Sequence, residues 1–185
     1  MIAERIAPVA LLVALALGVA GATSPHAATA AAGAEDAAPL AGVALDGRDG
    51  PVAFDDYRGR VVYVDFFASW CAPCRDSFPF MDALLERHGD AGLEVVAIGL
   101  DEDPADALAF ARRLDPGFDV AVDPAAGTAR TLDVRGMPSS YLLGPDGEVL
   151  WSHVGFRRAD AGAIEAAVVS ALGASRLADA DGTER

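Results

Sequence analysis

Cysteine is nearly missing from this chain, with two among 185 residues. Histidine is almost as scarce, at three, and 14 basic side chains face 28 acidic ones, a formal net charge of −14. Each shortage excludes something. A tetrahedral zinc site needs four ligands, usually a second Cys pair or two closely spaced histidines, and His26, His88 and His153 do not pair closely with one another. No metal is expected. So acidic a chain repels nucleic acid and anionic lipid surfaces, so nucleic acid is not an expected partner. The surplus charge reads as a solvated acidic surface.

The first residues read as an export segment. Arg5 and the α-amino group precede an apolar run from Ile6 to Ala22, and small residues follow, "AGA" at Ala20–Ala22 and "ATA" at Ala28–Ala30. That is the order of a secretory signal, expected over 1–30; an uncleaved anchor tethering the chain to a membrane is the rival reading. No cysteine lies near the segment, so a lipid anchor is not expected. Either way the folded part works outside the cytoplasm, in the periplasm or its equivalent. Residues 31–39 read as a flexible linker and 174–185 as a frayed polar tail. The domain between them, 40–173, is about the size of a single fold that buries roughly two-thirds of its unfolded surface. It needs no disulfide for stability, so the cysteine pair is free for chemistry.

Within that domain strands alternate with helices. "AGVALDGRDGPVAF" holds two short apolar runs around turn residues, a hairpin leading into the core. "RVVYVDFF" is a continuous β-branched and aromatic run of strand length, a central strand. From Ala72 to His88 apolar residues fall at helical spacing: Phe78, Met81, Leu84 and Leu85. "LEVVAIGL" is a second buried strand, and Asp103 with Pro104 reads as N-cap and first residue of the helix "ADALAFARRL". "FDVAV" is a short strand and "AAGTARTLDV" a short helix or turn. "SSYLLG" and "EVLWSHVGF" flank the turn "PDG", and "DAGAIEAAVVSALG" is a closing helix with Gly173 as its C-cap. The expected fold class is α/β: a mixed central sheet with a parallel part, covered by helices on both faces, carrying an N-terminal hairpin.

Both cysteines lie in one stretch, "VVYVDFFASWCAPCRDSFPF" at 61–80, just after an acid, Asp65, inside the central strand. A c-type haem site needs His after the second Cys, where Arg75 stands. A structural disulfide across two residues closes a tiny loop and constrains little. Redox chemistry fits the placement. Cys71 falls at a helix N-terminus, where unpaired N–H groups and the helix dipole favour a thiolate and lower its pKa from about 8.5 toward neutrality. Cys74 lies one turn further in, which brings the Cα atoms to about 5.5 Å, within disulfide range. Cys71 can attack a substrate disulfide, and Cys74 can resolve the mixed disulfide. Pro73 stiffens the turn at no cost in hydrogen bonds. A lone carboxylate on a buried strand is costly, so Asp65 has a task, unless it is held by a neighbouring hydroxyl or backbone group.

These residues resemble the thioredoxin superfamily. "VDFFASWCAPC" looks like its active-site strand and turn, Pro79 stands where that family kinks the helix, and "GMPSSYLLGPDGEVLWSHVGF" looks like its cis-proline segment and terminal hairpin. The export segment, the N-terminal hairpin and "DEDPADALAF" are similar to the TlpA/ResA-like branch of exported thiol–disulfide oxidoreductases. The resemblance implies an enzyme that reduces protein disulfides through a redox-active Cys71–Cys74 pair, without a cofactor. A place outside the cytoplasm implies re-reduction by a membrane thiol donor, and a monomer is expected. Pro138 is then the cis-proline, exposing the Met137 backbone to a substrate strand. Trp70 becomes a partly exposed ring that shields the disulfide and touches substrate, Pro73 joins Trp70, Met137 and Pro138 in the expected substrate-binding set, and Asp65 is an acid that moves protons to and from the resolving thiol. The chain departs from the pattern where thioredoxins place a lysine near the acid; Ala97 stands there. Ser77 replaces the glutamate frequent in cytochrome c maturation enzymes of this branch, and Asp65 stands where their strand usually has asparagine. Two alternatives stay open: a copper(I) module using the Cys pair and His153, and a peroxiredoxin-like enzyme, although "FFASWC" lacks the Thr or Ser and Pro that a peroxidatic cysteine needs.

Overall fold

The computed structural model describes residues 38–182. The expected export segment, most of the linker and the end of the tail lie outside the described residues. Among those described, no helix is long and apolar enough to cross a membrane.

Seven strands form one sheet in the order β2-β1-β5-β4-β3-β6-β7. They are β1 (Ala44–Gly47), β2 (Val52–Ala53), β3 (Val61–Phe67), β4 (Leu93–Gly99), β5 (Asp119–Val122), β6 (Ser139–Leu143) and β7 (Val149–Val154). The helices are α1 (Ala72–His88), α2 (Pro104–Leu114), α3 (Gly127–Thr131) and α4 (Ala161–Gly182). β3 and β4 run parallel, as do β4 and β5, while β6 is antiparallel to β3 and β7 to β6. The fold is thus the expected mixed α/β sheet of the thioredoxin type. The N-terminal hairpin does more than lead into the core. β1 also pairs antiparallel with β5 and extends the sheet at that edge.

The unbroken apolar run of β3 follows from burial on both faces, since every residue of the strand is buried. Val61, Tyr63 and Phe67 pack with α1, α2 and α4, through residues such as Phe78, Phe110 and Val168. Val62, Val64 and Phe66 face the other way, onto Leu40, Phe54, Ala129 and Leu132. Phe78 of α1 is the hub of the first face, with ring centroids 5.0 Å from Phe67, 5.3 Å from Phe110 and 5.4 Å from Phe118. That packing fixes α1, and with it the cysteines at its start, against the sheet.

α2 crosses β4 closely at Gly99, where an added Cβ would stand 2.5 Å from the Ala107 Cβ and 3.1 Å from the Phe67 ring. Both neighbours are held in the core, so Gly99→Ala is expected to destabilise the fold by about 1–3 kcal/mol. A lowered midpoint in urea at unchanged slope checks this.

The sequence places a C-cap at Gly173, and the structure does not. α4 runs through Gly173 to Gly182. The segment after the glycine, "ASRLADA", is rich in good helix formers, and its summed propensity outweighs the roughly 1 kcal/mol that one internal glycine costs.

Candidate active site

β3 ends at Phe67, and Ala68–Trp70 lead from the end of this central strand to Cys71 and the start of α1. Cys71 is the N-cap of α1, in extended conformation, and its sulfur accepts the Cys74 N–H at 3.2 Å. A second bond, from Cys71 N to the Ala68 carbonyl at 3.0 Å, closes the turn. Cys71 and Cys74 form a disulfide with Cα atoms 5.3 Å apart, within the range their spacing predicts. Pro73 lies in the first turn, where no N–H donor is missed, and Pro79 is accommodated inside α1. The two sulfurs are not equivalent: Cys71 is 5 % exposed and Cys74 wholly buried. Trp70 beside them is 71 % exposed.

Asp65 lies at mid-strand on β3, opposite Ala97 of β4 and Ser140 of β6. It is completely buried. Ser140 Oγ donates to Asp65 Oδ1 at 2.7 Å. Ser77 Oγ lies 3.5 Å from Asp65 Oδ2 but only 3.1 Å from the Cys74 carbonyl. A hydroxyl has one proton to give, and the shorter bond takes it, so Oδ2 is the less satisfied oxygen and faces Ser77 of α1. Burial pushes the Asp65 carboxyl up to about 7, although the Ser140 and Ser77 hydroxyls pull the other way. With Ala97 where a lysine would be, no cation offsets the desolvation. The hydroxyl anchor expected as an alternative for Asp65 is present. It coexists with the longer Ser77 contact at Oδ2.

Met137 and Pro138 enter from the loop before β6, joined by a cis peptide bond. Pro138 is buried and its carbonyl accepts Gly155 N at 2.7 Å, tying the loop to the end of β7. Among the described residues, the Met137 N–H and carbonyl take part in no hydrogen bond. An open groove of about 470 Å³, lined by Leu100, Ala129, Arg130 and Val134 among others, lies beside Met137.

His153 lies opposite Ser140 in the β6–β7 register and stacks on Trp151, with centroids 5.6 Å apart. It does not join the cysteines: among the described residues no three His, Cys, Asp or Glu side chains are gathered as a metal ion requires. The donor set of the copper reading is therefore not assembled.

Two residues and one contact escaped sequence reasoning. Ser140, and the approach of Ser77 to Asp65, are reached only once the β3–β6 register and the α1 docking are known. The other residue, Asp101, lies just past β4 and accepts both the N–H and the hydroxyl of Ser69.

Comparison with known proteins agrees with this geometry. The family model described as Redoxin matches residues 29–168. The thiol-disulfide oxidoreductase ResA of Bacillus thuringiensis subsp. konkukian is 30 % identical over 99 residues, 54 % of this chain and 57 % of that protein. The thiol:disulfide interchange protein CycY of Rhizobium leguminosarum bv. viciae is 38 % identical over 99 residues, 53 % of this chain and 52 % of its own. The chain thus spans little more than half the length of these relatives. A Chlorobium tepidum structure provisionally described as a thiol:disulfide interchange protein DsbE superposes with a TM-score of 0.68 at 45 % identity, covering 70 % of this chain and 92 % of that one. The chain belongs to the Redoxin family, in the ResA/TlpA-like branch of the thioredoxin superfamily.

Proposed function

We propose that this chain is a thiol–disulfide oxidoreductase acting outside the cytoplasm, mainly as a reductant of protein disulfides. The observation that carries the reading is the asymmetry of the cysteine pair at the start of α1. Cys71 caps the helix with the Cys74 N–H aimed at its sulfur, while Cys74 is buried behind it. In the reduced protein that N–H and the helix dipole favour a thiolate at Cys71.

The reaction then runs in two exchanges. The Cys71 thiolate attacks one sulfur of a substrate disulfide; a mixed disulfide forms, and the other substrate sulfur leaves as a thiolate and takes a proton from water. Asp65, ionised, accepts the Cys74 proton at Oδ2. The Cys74 thiolate attacks the Cys71 sulfur, the mixed disulfide breaks, and the second substrate sulfur departs. Two electrons pass to the substrate and the Cys71–Cys74 disulfide remains. Trp70 supplies an exposed apolar face to the substrate. The unpaired Met137 backbone, positioned by Pro138, pairs with a substrate strand. A membrane thiol donor returns the electrons, and the N-terminal segment serves as export signal or tether. The chain works as a monomer without metal or cofactor.

Reduction of insulin disulfides, with dithiothreitol as electron source, tests the activity. The wild-type chain is expected to accelerate it and Cys71→Ser to abolish the acceleration; no acceleration by wild type rejects the reading. The potential of the Cys71–Cys74 couple tests the direction. A value near about −270 mV fits a reductant, whereas one near about −120 mV would make the chain an oxidant.

A further inference from the structure

The loop that carries the nucleophile is held from one side by a single buried carboxylate. Asp101 is 6 % exposed. Ser69 N donates to its two oxygens at 3.0 and 3.2 Å, and Ser69 Oγ donates to Oδ1 at 2.5 Å. Next to it, Leu100 N donates to the Phe67 carbonyl at 2.9 Å, so pairing between the ends of β3 and β4 continues past the strands. The segment from Phe67 to Cys71 is thereby pinned at Phe67, at Ser69 and, through the Cys71–Ala68 bond, at Cys71. Only Trp70 is left exposed.

We propose that Asp101 is a positioning residue for Cys71: it clamps Ser69 in place and keeps a fixed negative charge behind the active-site loop that restrains thiolate formation. This rests on the thiol–disulfide reading and adds what sets the poise of the pair. A helix N-terminus with an N–H on the sulfur would by itself stabilise the thiolate, and a stabilised reduced form makes a strong oxidant. Asp101 opposes that. One residue, Trp70, separates Ser69 from Cys71, so their Cα atoms are at most about 7 Å apart and the carboxylate stands on the order of 10 Å from the sulfur.

The other charged groups around Cys71 do not duplicate it. Arg75 and Asp76 on α1 and Glu102 and Asp103 after β4 are exposed to solvent, where charge is screened. Asp133 and Arg135 ahead of Met137 are exposed and paired to each other at 2.6 Å. Asp65 is buried but lies mid-strand on β3, bonded to Ser140. Asp123, the remaining buried carboxylate among the described residues, is taken by Thr128 of α3.

The test follows the pH dependence of Cys71 alkylation by iodoacetamide in the reduced full chain, with mass spectrometry to assign the site, and the equilibrium of each variant with glutathione. Asp101→Asn keeps an oxygen to accept from Ser69 and removes the charge. It is expected to raise the thiolate fraction of Cys71 about fivefold at any pH below the midpoint, the effect of one charge at that range in a partly screened site. The glutathione equilibrium should move toward the reduced protein. Asp101→Glu should restore wild-type behaviour. Ser69→Ala removes the shortest bond, lets the carboxylate drift, and is expected to move the midpoint the same way by about half as much on a logarithmic scale. An unchanged midpoint and equilibrium in Asp101→Asn would overturn the inference. If that variant does not fold, Ser69→Ala decides: a shift supports the inference and no shift overturns it. Both readouts concern the thiol itself, so they can fail while insulin reduction by wild type succeeds, and the reverse.

Discussion

Cys74→Ser is expected to turn a catalyst into a trap. The serine hydroxyl has nearly the thiol's shape but cannot attack a disulfide, so the first exchange proceeds and the second stops. Substrate then remains joined to Cys71, and covalent adducts should replace turnover almost completely. The loss of the disulfide itself should matter little to the fold, because a loop closed over two intervening residues restricts the unfolded chain only slightly. Non-reducing electrophoresis followed by mass spectrometry of the full chain incubated with a disulfide-bonded protein reads the outcome. Adducts at Cys71 support the assigned roles. Adducts formed instead by Cys71→Ser, through Cys74, would reverse them. That reversal would run against the burial of the pair, since Cys74, within α1, is wholly buried and Cys71 keeps the small exposure the pair has.

Much of this site was legible in one dimension because its parts are local. The spacing of the cysteines, the helix that starts between them and the strand that precedes them all lie within 61–88 and depend on neighbours along the chain. The α2 start was legible for the same reason: Asp103 caps it by accepting Ala105 N at 2.9 Å, with Pro104 behind. What could not be read depends on pairings between distant segments. Ser140 reaches Asp65 across 75 residues, through the β3–β6 register, and nothing in "SSYLLG" alone says which serine faces which strand. Asp101 looked like one more acid in "DEDP"; its partner Ser69 lies 32 residues earlier. The place of β1 between β2 and β5 was hidden likewise, because a hairpin read from its own turn does not reveal that β5 will accept it. At Gly173 a local rule failed to outweigh the helix-forming residues after it.

Asp65→Asn is expected to make the protein more stable and slower, two effects from the same buried oxygen. Burial raises the folded carboxyl from 3.8 to about 7. A carboxyl raised on folding binds its proton more tightly in the native state than in the unfolded one. Its stabilising contribution is therefore complete below the unfolded value, declines as pH rises between about 4 and about 7, and is gone above that. The difference of about three units corresponds to roughly 4 kcal/mol that wild type forgoes at pH 8. Asparagine keeps the shape and the Ser140 bond and has no proton to lose. At pH 8 it should recover much of that, on the order of 2–4 kcal/mol, or about 5–15 °C in Tm for a domain of this size. At pH 5, where Asp65 is largely protonated in the folded protein, most of the difference should vanish. The rate should behave in the opposite sense. Without an acceptor at the Oδ2 position the Cys74 thiol must lose its proton to water, and resolution of the mixed disulfide should slow by about 10²-fold or more, the usual contribution of a placed base. Thermal melts at pH 5 and pH 8, with single-turnover release of substrate from the mixed disulfide at both, measure the two together. A variant less stable than wild type at pH 8 and equally fast would make Asp65 a hydrogen-bond acceptor for Ser140 and nothing more.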